Sequence, residues 1–260
     1  MKTNYLYNEN CLDTMAKMPD NFLDLTVTSP PYDGLRDYNG YSFDFESVAK
    51  ELFRVTKKGG VVIWNVNDST IDGSESLTSF KQALYFKEIG FNVHDTMIYD
   101  KGFAKFPDSV RYGQSFEYMF VFSKGKPNTF NPIQELSKWF GQDSVISDRE
   151  KDGKTKSKKV KVNETKNKRN VWHIDSGFNR SSKDKIAFEH PAIFPEKLAY
   201  DHIISWSNEN DLVYDCFMGS GTTAKACISA NRNWIGSEIS KEYCDIIEKR
   251  LQPLRHNLFT

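Results

Sequence analysis

Two short stretches of this 260-residue chain carry side chains in patterns suited to chemistry on a flat, amine-bearing ring. The first, Thr28-Ser29-Pro30-Pro31-Tyr32, closes an apolar run, Leu23-Asp24-Leu25-Thr26-Val27, and so places a hydroxyl, two rigid prolines and an aromatic ring at a strand tip. An exocyclic amine on an aromatic base is a poor nucleophile because its lone pair is delocalised into the ring. Acceptors that draw on its two hydrogens let the nitrogen pyramidalise. Ser29 Oγ and the Pro30 carbonyl are suited to that task, and the Pro30-Pro31 pair fixes both in place. Tyr32 can stack on the ring, an interaction worth roughly 1–3 kcal/mol.

The second stretch lies far along the chain: Asp215-Cys216-Phe217-Met218-Gly219-Ser220-Gly221-Thr222-Thr223. Leu212-Val213-Tyr214 reads as a strand ahead of it, the glycines allow a tight turn close to a ligand, and Thr222-Thr223 opens a helix whose first amides can donate. Gly219 to Ala224 also satisfies G-x-G-x-x-A, with Glu238 near the distance expected of a ribose-binding acid. Those features alone leave an NAD-dependent oxidoreductase as a rival reading.

The longer pattern is more specific. Asp215 to Thr223 resembles the D-P-F-x-G-S-G-T-T of the β-group DNA amino-methyltransferases, with Cys216 in place of proline. These enzymes move a methyl from S-adenosylmethionine to cytosine N4 or adenine N6, and the Ser-Pro-Pro-Tyr tip matches their catalytic tetrapeptide. His190-Pro191-Ala192-Ile193-Phe194-Pro195-Glu196-Lys197-Leu198 resembles the family's H-P-A-x-F-P-x-x-L. Glu9-Asn10-Cys11-Leu12 stands where G-D-x-L is usual, Asn10 replacing the aspartate.

The resemblance assigns Asp215, Phe217, Gly219, Ser220, Gly221 and Thr222 to the cofactor, with Asp215 and the glycine backbone at its methionine part. It puts Glu238 at the ribose hydroxyls, Phe194 and Pro195 in the pocket wall, and Asn10 toward the adenine ring. Ser29, Pro30, Pro31 and Tyr32 become the catalytic residues. Serine at the head of the tetrapeptide favours cytosine in this family and aspartate favours adenine, so N4-methylcytosine is the expected product and N6-methyladenine the alternative. An amine inside a duplex is paired and out of line, so the target must be flipped out. The electrophile is already activated, and neither a metal nor a covalent enzyme intermediate is called for. Methylation at carbon would require a cysteine nucleophile, commonly after proline; none of Cys11, Cys216, Cys227 or Cys244 follows one.

Positioning these residues requires a sheet. Apolar runs Leu23–Val27, Val61–Val66, Val93–Tyr99 and Tyr118–Phe122 alternate with helical patterns at Phe45–Val55 and Leu77–Ile89. The alternation resumes with a helix over Pro195–Trp206, a strand over Leu212–Cys216, a helix over Thr222–Ala230, a strand over Trp234–Glu238 and a helix over Lys241–Leu251. Continuous short strands between amphipathic helices predict an α/β fold, a parallel sheet covered on both faces. Lys57-Lys58-Gly59-Gly60 reads as a helix stop ahead of Val61. The resemblance, which covers roughly residues 4–124 and 188–251, implies the Rossmann-like S-adenosylmethionine-dependent methyltransferase fold. Its features are a mostly parallel seven-stranded sheet, a permuted motif order and a target-recognition insertion. The expected division is 1–124 as the catalytic half, 125–187 as the insertion and 188–260 as the cofactor-binding half.

Bulk properties restrict the partners. With 35 basic and 35 acidic side chains the formal charge is zero, so any polyanion must be met by local clustering. The cysteines show no CxxC spacing, which argues against zinc and against a disulfide framework. No stretch approaches the roughly 18 to 20 apolar residues of a membrane span and the N-terminus lacks an apolar signal core, so a cytoplasmic location is expected. By resemblance the partner is double-stranded DNA at a short specific sequence. A cognate restriction endonuclease sharing the site is a second partner left open, and the working unit is a monomer or homodimer.

Basic clustering occurs in one place, Arg149–Arg169. Lys156, Lys158, Lys159 and Lys161 are the expected phosphate-binding side chains, against the alternative of a solvated loop. Neutralising all four should weaken DNA binding on every sequence and reduce the slope of log affinity against log salt by up to about 3.6, at about 0.9 for each phosphate no longer neutralised. Titrations at several salt concentrations measure it; an unchanged slope returns the segment to a solvated loop.

Overall fold

The computed structural model describes residues 1–31, 44–102 and 109–256. In chain order the elements are β1 (Tyr5–Tyr7), α1 (Cys11–Ala16), β2 (Leu23–Thr28), α2 (Phe45–Val55), β3 (Thr56–Val66), a small pair β4 (Thr70–Ile71) and β5 (Ser74–Glu75), α3 (Thr78–Glu88), β6 (Asn92–Asp100) and β7 (Phe116–Ser123). Then follow β8 (Gln134–Leu136), β9 (Asp143–Arg149), β10 (Thr155–Lys161), β11 (Thr165–Asn167), β12 (Val171–His173), α4 (Glu196–Trp206), β13 (Leu212–Asp215), α5 (Thr222–Ser229), β14 (Asn233–Ser237) and α6 (Lys241–His256). They form two compact units, one of residues 1–131 with 170–260, the other Pro132–Arg169.

The larger unit is built on an eight-stranded sheet ordered β1-β14-β13-β2-β3-β7-β6-β12. Strands β1 through β3 in that order run parallel; β7 is antiparallel to both neighbours, and β12 is parallel to β6. Strand β2 is buried along almost its whole length although Asp24, Thr26 and Thr28 alternate with its apolar residues. Asp24 at its start joins three strands: Oδ1 accepts from Lys57 Nζ at 2.6 Å and Oδ2 from Leu212 N at 2.9 Å.

Helices α1, α2 and α3 cover one face. In α2, Val48, Ala49, Leu52 and Val55 recur at helical spacing and are buried, and Asp44 caps the first turn by accepting from Ser47 N. They pack with Met15, Trp64, Phe86, Phe122 and Tyr214 in a single apolar cluster. The other face is covered by α4, which contacts β2, and by α5 beside it. Strand β13 continues through α5 to β14 on one side, whereas β2 continues through α2 to β3 on the other. The carboxyl ends of β13 and β2 therefore flank the point where the winding reverses, the usual crevice for a ligand in an open α/β sheet.

Most element positions agree with the sequence reading to within a residue or two; the last helix continues from Leu251 to His256, and three further differences stand out. Lys57 to Gly60 lie inside β3, which starts directly after α2. A Cβ on Gly60 would come 3.0 Å from the Asp24 carbonyl, so this glycine serves the close approach of β2 and β3 rather than a helix stop. The short β1 and α1 carry too few residues to show a period. Strand β12 adds an eighth member to the expected seven.

The smaller unit holds two hairpins, β9 with β10 and β8 with β11. Alternation along β10 puts Lys156 and Lys158 on one face and Lys159 and Lys161 on the other, all four exposed. Lys156 is also paired with Glu150 at 2.5 Å.

Behind the turn at Gly219 sits a buried ion network. The Arg250 side chain of α6 is 0% exposed; it donates to the Ser220 carbonyl at 2.5 Å, to Glu196 Oε1 at 2.7 Å and to Asp184 Oδ2 at 3.2 Å. Lys225 of α5 meets the same two carboxylates at 2.9 and 2.7 Å. Two cations balance two anions, and the hydrogen bonds to Lys225 and Arg250 keep the Asp184 carboxyl below its ordinary range despite burial. Arg250→Met leaves both carboxylates on Lys225 alone and should lower stability by about 3–5 kcal/mol, the scale for breaking a buried pair from one side. Thermal or urea melting of the variant checks it, and an unshifted midpoint would remove the network from the framework of the fold.

Candidate active site

A cavity of about 560 Å3 opens at the carboxyl ends of the strands, within the size range of small-molecule sites. Its walls gather both sequence motifs, although almost two hundred residues separate them. Ser29 and Pro31 come from the end of β2. Asp215, Phe217, Gly219, Ser220 and Thr222 come from the turn between β13 and α5. Glu238 follows β14, Phe194 and Pro195 precede α4, and Asn10 precedes α1. Pro30 is buried behind this surface rather than on it, and Gly221 lies against Ile247 of α6, where an added Cβ would come within 3.0 Å. Tyr32 lies outside the described residues, and the four lysines belong to the smaller unit.

The turn is held from several sides. Gly219 has φ +54° and Gly221 φ +82°, backbone that other residues adopt only with strain. Gly219 N donates to Glu238 Oε2 at 2.9 Å, and Ser240 N to Glu238 Oε1 at 2.9 Å. A Cβ on Gly219 would sit 3.2 Å from His190 Nε2, and His190 in turn packs edge-on against Tyr243. The H-P-A-x-F-P segment thus closes on the glycine turn.

Asp215 does something the sequence did not disclose. Its carboxylate is buried and accepts from Thr28 Oγ1 at 2.7 Å, from Thr223 Oγ1 at 2.6 Å and from Phe217 N at 3.0 Å. Burial raises its pKa, an effect opposed by those three donors. The residue therefore ties the tip of β2, one position before Ser29, to the first turn of α5. Asn10 likewise has a structural duty: its Oδ1 caps α1 by accepting from Leu12 N at 2.9 Å.

Glu238 is nearly buried, and desolvation pushes its carboxyl up to about 7 against the two backbone donors that favour the anion. Each oxygen spends one lone pair on a backbone N–H, which leaves acceptor capacity toward the cavity. At the far end of the same cavity the wall is polar: Asn65, Lys101, Gln114 and Glu117 come from β3, β7 and the segments flanking them. No local motif marks these residues in the sequence, since their proximity comes from strand pairing. Arg250 is equally silent there, one cation among several on an amphipathic helix.

The cradle fits a nucleoside cofactor with a charged tail: glycine backbone where side chains would intrude, and a carboxylate placed for hydroxyls. Known proteins agree. The DNA methylase family model matches residues 23–249. The orphan methyltransferase M.BamHII of Bacillus amyloliquefaciens is 59% identical over 239 residues, covering 90% of each chain. The type II methyltransferase M.BglII of Bacillus subtilis is 27% identical over 98% of this chain and 71% of its own. Among solved structures, the PvuII DNA methyltransferase, described as cytosine-N4-specific, superposes with a TM-score of 0.69 at 19% identity over 98% of this chain and 92% of its own. A putative DNA modification methylase of Thermus thermophilus, in complex with S-adenosyl-L-methionine, gives 0.63 at 21% identity over 96% and 95%. These matches set the dinucleotide reading aside: with its strand-end cavity and glycine cradle, the chain belongs to the N6/N4 family of DNA methylases, site-specific DNA methyltransferases that use S-adenosylmethionine.

Proposed function

We propose that the chain methylates cytosine N4 in double-stranded DNA at a short specific sequence, acting on a base flipped out of the stack. The observation that carries the choice of base is Ser29. It heads the tetrapeptide, lines the cavity at the end of β2 and sits one strand from the cofactor turn. A hydroxyl there, in place of a carboxylate, is the family's cytosine signature, and the PvuII enzyme described as cytosine-N4-specific shares the fold.

When bound, the cofactor supplies an electrophilic methyl on a sulfonium. Gly219 and its neighbours hold the methionine part, Glu238 accepts the ribose hydroxyls, and Phe194 and Pro195 wall the pocket. Ser29 Oγ and the Pro30 carbonyl accept the two amine hydrogens, freeing the lone pair from the ring and aiming it toward the β13 side. Alignment and preorganised acceptors provide the rate, and the surplus amine proton passes by way of the Ser29 hydroxyl, which gives up its own proton in turn, to solvent water. The tie from Asp215 to Thr28 and Thr223 keeps nucleophile and electrophile in register. Tyr32 stacks on the base, and lysines of the smaller unit contact phosphates; only one face of β10, Lys159 with Lys161 or Lys156 with Lys158, can meet the duplex, so neutralising the four should lower the salt slope by about 1.8 rather than about 3.6. The kinship with M.BamHII, named an orphan methyltransferase, supports DNA modification without a paired endonuclease here.

Digesting DNA from cells that express the chain and analysing the nucleosides by mass spectrometry should reveal N4-methyldeoxycytidine; N6-methyldeoxyadenosine alone would overturn the choice of base. Ser29→Ala should bind the cofactor normally and lose about 10²-fold or more in single-turnover rate, the scale of one preorganised polar group.

Glu238 gives a pH signature with two opposite slopes. Above about 7 its carboxylate accepts ribose hydroxyls, and protonation below that removes an acceptor, so cofactor affinity should fall as pH is lowered through 7. Stability of the free protein moves the other way. The folded carboxyl keeps its proton above the ordinary value of 4.5, so the native state binds more protons than the unfolded chain between about 4.5 and 7, and stability declines as pH rises across that window. Calorimetric titration with cofactor, beside melting curves, tests both slopes; Glu238→Gln should bind more weakly and show neither.

A further inference from the structure

The cofactor roles proposed above leave the polar end of the cavity, with Asn65, Lys101, Gln114 and Glu117, without an assignment. Glu238 follows β14 and Glu117 lies on β7, four strand spacings apart in the sheet, or about 19 Å at about 4.8 Å per spacing. Ser29 on β2 stands midway, two spacings from each. A base whose amine is held at Ser29 and aimed toward β13 must extend its ring toward β3 and β7.

That region holds a built arrangement. Asn65, 1% exposed, follows Trp64, the register partner of Thr28, and so stands beside Ser29. Its Nδ2 donates to Glu117 Oε2 at 2.7 Å, and Lys101 Nζ lies 3.3 Å from Glu117 Oε1. The Lys101 and Glu117 side chains are only 21% and 17% exposed, so this pair has lost most of its hydration. It is not needed to join its strands: β6 and β7 are already paired from Asn92 with Ser123 to Asp100 with Phe116, and Lys101 N donates to the Ser115 carbonyl at 2.7 Å. An ionised glutamate only accepts, so Glu117 fixes both neighbours as donors, orienting the Asn65 amide and the Lys101 ammonium. Lysine has two further N–H groups beyond the one on Glu117.

Beyond their shared amine and ring nitrogen, cytosine and adenine differ at the next atom along the same edge. Cytosine has a carbonyl oxygen there and adenine a C–H. We infer that Lys101, held by Glu117 beside Asn65, donates to the ring carbonyl of the flipped cytosine and is the residue that selects it over adenine. The inference rests on the cytosine reading above. Lys101 and Asn65 touch the base, whereas Glu117 is a positioning residue. A site built to hydrogen-bond a substrate atom rejects the analogue that lacks it, because the donor is left buried and unpaired.

The test compares single-turnover methylation of two duplexes, identical except that one carries cytosine and the other adenine at the target position, in the recognition sequence read from modified DNA of expressing cells. Lys101→Met should slow the cytosine duplex roughly 10- to 100-fold, the equivalent of one hydrogen bond from a charged donor, and leave the adenine duplex no slower, or faster, because no buried donor is then left unpaired against it. Cofactor affinity by calorimetry should be unchanged, which separates this role from a general loss of structure. Lys101→Arg, which keeps a charged donor, should recover part of the preference, and Glu117→Gln should lower the cytosine rate while sparing cofactor affinity. If Lys101→Met does not fold, Lys101→Gln is measured in the same way. Equal slowing of both duplexes, or no change in their ratio, overturns the inference. The cytosine reading fails on a different result, N6-methyladenine as the sole product of the unaltered protein.

Discussion

One buried carboxylate holds the site together. Asp215 accepts simultaneously from Thr28 and Thr223, and through them it joins the strand tip that carries Ser29 to the helix that follows the glycine turn. Thr223 Oγ1 also lies 3.4 Å from the Val27 carbonyl, so the same side chain reaches the backbone of β2. These hydrogen bonds set the separation between the end of β2 and the start of α5. Their burial excludes the water that would otherwise compete for them.

Around this link the cavity is chemically graded. Its cofactor end presents Glu238 and glycine backbone, while the opposite end presents the Lys101–Glu117 pair and two amides. Arg250 performs a comparable task from behind, neutralising Asp184 and Glu196 while binding the Ser220 carbonyl, so the outer side of the turn is as constrained as the inner.

Much of the sheet was legible because its strands and helices are long enough to show a period. Phe45–Val55 and Leu212–Asp215 could be placed by apolar spacing and punctuation alone. The motif residues at Ser29 and Gly219 were legible for another reason, their resemblance to a family pattern; the glycine spacing alone had left a dinucleotide enzyme open. What stayed hidden depended on pairing over long separations. Asn65 meets Glu117 through antiparallel β3 and β7, and Asp215 meets Thr28 through a separation of 187 positions; neither pairing leaves a local trace. Gly60 misleads for the same cause, since a glycine needed for strand approach looks, in one dimension, like one that ends a helix.

The permuted order of the motifs has a consequence for the making of the protein. Strand β1 precedes its sheet partner β14 by more than two hundred residues, and β2 waits for β13 on one edge. At roughly 5–20 residues per second, about 10 to 40 s separate the synthesis of Thr28 from that of Thr223. During that interval the edge of β2 that will receive β13 has no strand to pair with, an invitation to misassembly that chaperones must cover. The strand end before Ser29 is made long before the turn that Asp215 ties it to, so the link through Thr28 and Thr223 can close only late in synthesis.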